Sequence, residues 1–262
     1  MTQLRKCLAV GLLALGACTY WHGDLERIVD QSGRNFAIAP DKVYKDVDLA
    51  AVAAYPTNYK FVDIQFQAVV NRLDEKIFVT GYSTFRQEDY VAFSVWPASA
   101  RLWESDSWVK SIPTLYLRKD NADLQNLISA TRYALAHIKG RVMNDFENLP
   151  FIDVHYFEVL DPYAYSEETL TDLRGGLAAV ADKKPAQSIE RLERALEGPL
   201  HARARVMAHS QLGRIYEERG DFDKAAKHFE AVLWDDPENV TAWEGWERNV
   251  KAEERKRKMP KQ

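Results

Sequence analysis

The feature that most constrains the fold is a set of small and large apolar residues at fixed positions between Ala204 and Pro237. Small residues at Gly213 and Ala225 predict that two helices approach each other closely there. Gly220 would end the first helix, and Pro237 would stop the second. The full set is Leu212, Gly213, Tyr216, Gly220, Phe222, Ala225, Phe229 and Pro237. It predicts a pair of antiparallel helices in which Gly213 and Ala225 face each other.

These eight residues stand at the offsets of a tetratricopeptide repeat, and residues 206–239 therefore resemble that family. The sequence departs from the family pattern at His209, where a large aromatic residue is usual. A degenerate copy precedes the repeat: Leu192 and Gly176 lie 37 residues before Phe229 and Gly213. The apolar residues Ala242, Trp243, Trp246 and Val250 follow it as a capping helix. We expect five helices in a repeat-like helical domain at 169–256, with an insertion around 196–202.

The resemblance implies a concave groove, lined by the first helix of each repeat, in which a peptide or an envelope protein binds. The asparagine clamp that the family uses for carboxylate-ended peptides is absent, because Ser210 and Arg214 stand in its places. Two repeats bury less apolar surface than a stable solenoid needs, so the helices should dock on the preceding domain or form a homo-oligomer. The predicted groove residues are Met207, Ser210, Arg214, Glu217, Thr241 and Glu244.

Residues 41–162 have the two-residue period of β-strands. Apolar residues alternate with polar ones from Val62 to Val70, and β-rich runs follow at 76–85, 90–96 and 112–118. Asn121 is a plausible N-cap for a helix that continues to Leu135. Two further strands would lie at 138–142 and 151–160, separated by a turn that ends at Pro150. This order resembles that of an OB-fold, so we expect a small antiparallel β-barrel, and an α+β fold overall.

Aromatic residues are crowded between Tyr82 and Trp108, and an OB-fold can bind oligomers through such rings. Most of these rings are expected to pack in the core. Trp103 and Trp108 are the candidates for stacking on a ligand. A barrel that binds a glycan or another oligomer is therefore the alternative to binding through the helices. The two readings differ in whether Trp96, Trp103 and Trp108 are exposed together or buried.

The first 17 residues have the order of a secretory signal: a basic start, a short apolar run at 8–15 and small residues before Cys18. The tetrapeptide from Leu15 to Cys18 resembles the lipobox of bacterial lipoproteins. This resemblance implies that Cys18 is acylated and becomes the N-terminus, followed by a tether at 18–40. Multiple acyl chains are sufficient for stable membrane attachment. Because Thr19 follows in place of aspartate, the resemblance implies the outer membrane and its periplasmic face.

Loss of the signal removes Arg5 and Lys6, so the net charge of −4 becomes −6. That mild acidity argues against a nucleic-acid partner, although the tail at 257–262 is basic. A composition with 46% hydrophobic residues excludes a disordered chain.

No complete set of catalytic or metal-ligating residues is found in the sequence, and no cofactor is implied. Asp153 and His155 share one face of the last strand, but a third convergent ligand is not evident. We interpret this face as exposed barrel surface. His209 and His228 are interpreted as packing or groove residues. The sequence predicts a membrane-anchored, non-catalytic interaction module.

Overall fold

The computed structural model of the protein describes residues 42–73, 85–104, 107, 111–146 and 149–258. The signal, Cys18, the tether, residues 76–84 of a predicted strand, Trp108 and the end of the basic tail lie outside these residues. Within them the chain forms a β-barrel followed by paired helices. The α+β fold class predicted from the sequence is confirmed.

In the part of the barrel region that the structure describes there are six strands and two short α-helices. Its elements are β1 (Lys45–Asp46), α1 (Leu49–Ala54), β2 (Asp63–Leu73), β3 (Tyr90–Pro97), β4 (Ile112–Arg118), α2 (Leu124–Ser129), β5 (Leu135–Phe146) and β6 (Leu149–Asp161). A short 3-10 helix spans Pro56–Tyr59. The long strands pair in the order β2-β3-β4-β6-β5, and β5 pairs back with β2, which closes the barrel. All these pairings are antiparallel except the parallel pairing of β4 with β6.

The barrel interior is filled by alternate residues of the strands. On β2, the side chains of Ile64, Phe66, Ala68 and Val70 point inward and are buried, as their alternation predicts. Helix α1 adds Leu49 and Val52 to the same core, and α2 adds Leu127.

The helix before β5 is shorter than the sequence predicts. It covers only Leu124–Ser129, its N-cap is Asp123, and Leu135 already belongs to β5. The apolar spacing of three and four residues continues past the true end of the helix at Ser129. Tyr133 adopts a left-handed conformation (φ 73°) shortly before β5 begins. The next turn is also misplaced, since Pro150 lies inside β6 and is paired with β5.

Five helices follow the barrel, as the repeat pattern predicts. They are α3 (Glu167–Ala181), α4 (Pro185–Leu196), α5 (Ala202–Glu218), α6 (Phe222–Asp235) and α7 (Val240–Lys258). Helices α3 and α4 form a first hairpin, α5 and α6 form a second, and α7 packs against α6. No helix within the described residues combines the length and apolarity needed to cross a membrane.

The helices and the barrel share one hydrophobic core. Trp96, Trp103 and Tyr133 of the barrel region lie in the same buried cluster as Leu170 and Leu173 of α3. The indole of Trp96 stacks on the ring of Tyr133, with ring centroids 5.6 Å apart. Docking on the barrel was one of two expectations for so short an array, and it is the arrangement the structure shows.

Candidate functional site

The two hairpins are built around the same contact between a glycine and a large side chain. A Cβ atom at Gly176 would lie 2.7 Å from the side chain of Leu192, and one at Gly213 would lie 3.0 Å from the ring of Phe229. These distances leave no room for a larger residue at either glycine. The ring of Phe229 lies against Gly213, the glycine that the sequence predicts to face Ala225 one turn earlier on the same helix.

Helix α7 closes the second hairpin from the other side of Phe229. A Cβ atom at Gly245 would lie 2.8 Å from that ring, so Phe229 is held between two glycines. Asn249 is buried one turn further on and donates a hydrogen bond to the carbonyl of Gly245 at 2.8 Å. Helix α7 thus covers the second hairpin through Gly245, whereas Trp243 of the predicted apolar stripe is 51% exposed.

The predicted groove residues lie on α5 and α7 and differ in exposure. Arg214, Thr241 and Glu244 are exposed, whereas Met207, Ser210 and Glu217 are half-buried. Met207 packs against the core shared with the barrel, so only part of its side chain is available to a ligand.

Glu217 is not available as an isolated charge. Its two carboxylate oxygens accept hydrogen bonds from the guanidinium of Arg248 on α7, at 3.1 and 3.3 Å. This contact raises the pKa of Arg248. It also joins the two helices that border the groove, so Glu217 has a structural role that the sequence did not reveal.

The corresponding face of the first hairpin is apolar and covered. The positions 37 residues before Met207, Ser210, Arg214 and Glu217 are Leu170, Leu173, Leu177 and Val180. Leu170 and Leu173 are fully buried in the core that also contains Trp96 and Trp103. Leu170 and Leu173 are therefore covered by residues of this shared core, whereas the exposed groove positions lie on α5 and α7.

Polar contacts accompany this apolar seam. Tyr133 donates a hydrogen bond from its hydroxyl to Glu167 of α3 at 2.6 Å. Burial, and then this carboxylate, raise the pKa of Tyr133. Thr131 donates a further hydrogen bond to the carbonyl of Pro162 at 2.6 Å. The hydrogen bond to Glu167 thus joins the barrel region to α3, and the bond to Pro162 holds the segment that connects β6 to α3.

Trp103 does not occupy a position from which it could stack on a ligand. Its exposed fraction is 7%, and Trp96 is buried as well. Both rings contribute to the seam between barrel and helices. The position of Trp103 gives no support to the stacking role that the sequence made conceivable for it.

The face of β6 that carries Asp153 and His155 is buried, so its interpretation as exposed barrel surface is wrong. The N-terminal segment covers it: Lys42 and Tyr44 each approach Nδ1 of His155, at 3.3 and 3.2 Å. Lys42 also pairs with Asp63 at 2.8 Å. The covering segment is distant in sequence, which is why a strand pattern could not reveal it.

Burial dominates the electrostatics of this face. It raises the pKa of Asp153 to about 7 and lowers that of His155 to about 4. Among the described residues, Oδ1 of Asp153 has no hydrogen-bond partner. Those residues also contain no group of three or more His, Cys, Asp or Glu side chains that could hold a metal ion.

A second pair of titratable residues lies inside the second hairpin. The Nδ1 atoms of His209 and His228 are 2.9 Å apart, and the ring of Tyr216 stacks on His228 at 5.5 Å. Burial lowers the pKa of both histidines, to about 4 for His228, where the neighbouring His209 adds to the effect. Of the two sequence interpretations of these residues, packing or groove, this arrangement agrees with packing.

A family model of the tetratricopeptide repeat matches residues 206–239. The matched segment covers α5 from residue 206 onward and all of α6, and it begins one residue before the groove position Met207. Such repeats generally mediate protein–protein interactions, and the match therefore indicates an interaction module in this part of the chain. No curated protein matches the chain.

Proposed function

We propose that the protein is a non-catalytic interaction module that binds a partner protein along the open groove between α5 and α7. The observation that carries this proposal is the contrast between the covered face of α3 and the polar face of α5. Arg214 of α5 and Thr241 and Glu244 of α7 are exposed. The corresponding side of the first hairpin is apolar and buried. Charged side chains on such a face contribute little to folding, so they are available for recognition.

We infer that the partner is a protein or peptide of the cell envelope. The lipobox-like tetrapeptide ending at Cys18 supports lipid attachment, and Thr19 supports the outer membrane and its periplasmic face. Both residues lie outside the described part of the chain. In this proposal the acylated cysteine and the tether hold the barrel and the helices near the membrane.

We assign the barrel to the OB class and give it the role of a spacer. The strand order, the helix between the third and fourth long strands and the parallel pairing of β4 with β6 support the assignment. The alternative function, glycan binding by aromatic loops, depended on exposed rings. Trp103 is buried and Trp108 lies outside the described residues, so the argument from the helices is the stronger one.

The test uses a photo-cross-linking amino acid at Arg214 or Glu244, with Arg219 as the matched control. Arg219 is exposed at the end of α5 but is not a groove residue. We expect a specific adduct from 214 and 244 and none from 219. The adduct is identified by mass spectrometry, and the purified partner is then titrated against the chain.

The double variant Arg214→Glu with Glu244→Arg should abolish binding of that partner, while Arg219→Glu should not. Both changes are at exposed positions, so the free energy of unfolding should stay within roughly ±0.5 kcal/mol of the parent. We avoid Glu217 because its replacement would also break the contact with Arg248. Equal cross-linking from all three positions, or unchanged binding by the double variant, would refute the groove.

The anchor is tested separately. Metabolic labelling with a clickable fatty acid should mark the parent chain and should not mark Cys18→Ser. Continued labelling of that variant would remove the lipid anchor from the proposal and would leave the groove untouched.

A further inference from the structure

The helices carry an aromatic pocket that the proposed groove does not use. Trp234 of α6 and Trp243 and Trp246 of α7 line an open pocket of about 200 Å³, together with Leu233 and Glu230. Trp234 is 82% exposed and Trp243 is 51% exposed. Large rings are seldom left so open on a surface without a role, and this cluster is therefore a candidate binding site.

The internal repeat explains why these rings are exposed. Trp243 and Trp246 lie 34 residues after His209 and Leu212, which in the second hairpin are buried or half-buried, with His209 in contact with α6. No helix follows α7 within the described residues, so nothing described there covers the two indoles. On α7, Trp243 follows Thr241 by two residues and Trp246 follows Glu244 by two, each about 160° away around the helix. None of the predicted groove residues lines the pocket, which is therefore distinct from the groove.

The rings are held in a fixed arrangement. The indole of Trp243 donates a hydrogen bond from Nε1 to the carbonyl of Pro237 at 2.9 Å. Its ring meets that of Trp246 edge to face, with centroids 5.9 Å apart and an interplanar angle of 88°. Two indoles at a right angle form adjacent walls, and the electron-rich face of an indole attracts cations more strongly than that of any other side chain.

The charge around the pocket also favours a cation. Glu230 forms no ion pair or hydrogen bond within the described residues. Between Glu230 and Glu247 the sequence carries six carboxylates and no Lys or Arg. A cation in the pocket would therefore meet an unpaired carboxylate as well as aromatic faces.

We propose that this pocket binds an arginine side chain of a partner protein. A guanidinium is planar, so it can stack on an indole while its N–H groups donate to the carboxylate of Glu230. A lysine ammonium is a compact and strongly hydrated charge that cannot stack in this way, and a quaternary ammonium has no N–H to donate. The combination of flat walls and one carboxylate thus selects arginine among cations.

The test follows the tryptophans directly in the full chain, labelled with 5-fluorotryptophan and held in detergent micelles. Fluorine NMR resonances are assigned with Trp234→Phe, Trp243→Phe and Trp246→Phe. The probes are the N-acetyl methylamides of arginine and lysine, and choline. We expect the resonances of the pocket to shift with the arginine derivative, at an affinity about three- to fivefold higher than for lysine or choline.

The variant Glu230→Gln should weaken binding of the arginine derivative by about three- to fivefold, whereas Glu238→Gln should leave it unchanged. Glu238 is exposed and carries the same charge nearby but does not line the pocket. Trp234→Ala should also weaken binding. Because Trp234 is 82% exposed, this variant should keep its fold, which circular dichroism checks.

Four results would overturn the proposal. Resonances that do not move would remove the site, and equal affinities for the three probes, or indifference to Glu230→Gln, would remove the choice of arginine. Shifts that depend on protein concentration alone, and that disappear in Arg255→Glu with Arg257→Glu, would assign the pocket to a second copy of the chain. None of these results bears on the groove, which is tested by cross-linking at other positions.

Discussion

The two helical hairpins share a geometry but differ in what covers their first helix. Gly176 faces Leu192 in one, and Gly213 faces Phe229 in the other, with the same spacing of 16 residues. In the first hairpin, α3 buries Leu170 and Leu173 in the core shared with the barrel region. In the second hairpin, the corresponding face of α5 is polar. The same architecture thus serves as a docking element in the first hairpin and as an open surface in the second.

The difference shows that the internal face of a repeat and its concave face can change independently. The internal face must keep a small residue opposite a large one, because the two helices approach too closely for any other arrangement. The concave face has no such constraint, and its polarity follows whatever lies against it. A repeat array can therefore be joined to a neighbouring domain at one end without losing its function at the other.

The largest effect should come from the shared internal face. Phe229→Ala should lower the free energy of unfolding by about 3 to 5 kcal/mol, because the ring fills the space between Gly213 and Gly245. Urea denaturation followed by circular dichroism measures the change. The matched variant Leu192→Ala should cost about 2 to 5 kcal/mol. If Phe229→Ala had little effect while Leu192→Ala were costly, the two hairpins would not be equivalent.

The covered and open faces should respond very differently to truncation. Leu173→Ala should cost about 2 to 5 kcal/mol, since the side chain is fully buried in the core shared with the barrel. Ser210→Ala, at the corresponding position of the second hairpin, should stay within roughly ±0.5 kcal/mol. Thermal unfolding of both variants checks the pair. Comparable losses would mean that the face of α5 is covered as well.

Much of this contrast is visible in the sequence once the 37-residue offset is applied. The offset places Leu170 and Leu173 at groove positions, and an apolar groove position indicates that something covers it. The sequence does not reveal which residues bury these positions. Trp103 reaches the helices from a loop, and Lys42 reaches His155 from a segment far away in sequence. Such contacts depend on tertiary folding, and local patterns carry no signal for them.

The barrel contains a buried acid, Asp153. Its effect on the pH dependence of stability is opposite in sign to that of the two histidines in the second hairpin. Burial raises the pKa of Asp153 to about 7, so the folded state favours the protonated carboxyl. Its contribution to stability is greatest below the unfolded pKa and is lost as the pH rises towards 7. Asp153→Asn should therefore stabilise the protein by about 2 to 4 kcal/mol at pH 8 and by less at pH 5. Equal gains at both values would show that the carboxyl is not buried.

The second hairpin should lose stability in acid, and the first should not. The pKa values of His209 and His228 are lowered by burial, so folding favours the neutral rings. The free energy of unfolding should therefore decrease as the pH falls from 6.5 towards 4. The expected loss is about 1 to 2 kcal/mol, with solvent screening taken into account. At these positions the first hairpin has Asp172 and Arg191 in place of the two histidines.

Hydrogen exchange of the amides of α5 and α6, compared with those of α3 and α4 at pH 7 and pH 5, measures this difference. His228→Gln removes one of the two titrating rings, and the acid sensitivity of the second hairpin should decrease accordingly. An unchanged response in that variant would place the sensitivity elsewhere.

The smallest expected effect concerns the turns between the helices of each hairpin. Gly220 has a φ of 73°, and Lys183, 37 residues earlier, has a φ of 57°. A left-handed conformation costs a residue with a Cβ atom about 1 kcal/mol, whereas glycine adopts it without strain. Only the turn at Gly220 is recognisable in the sequence, because lysine gives no signal for this conformation.

The reciprocal substitutions should therefore change stability in opposite directions. Lys183→Gly should stabilise the first hairpin by about 0.5 kcal/mol, since relief of strain exceeds the added freedom of the unfolded chain. Gly220→Ala should destabilise the second by about 1 kcal/mol, although a Cβ atom there would meet no neighbour within 4 Å. Chemical denaturation of both variants at pH 7.5 resolves the signs. If both substitutions were destabilising, the two turns would not be equivalent, and the correspondence between the hairpins would be limited to their internal faces.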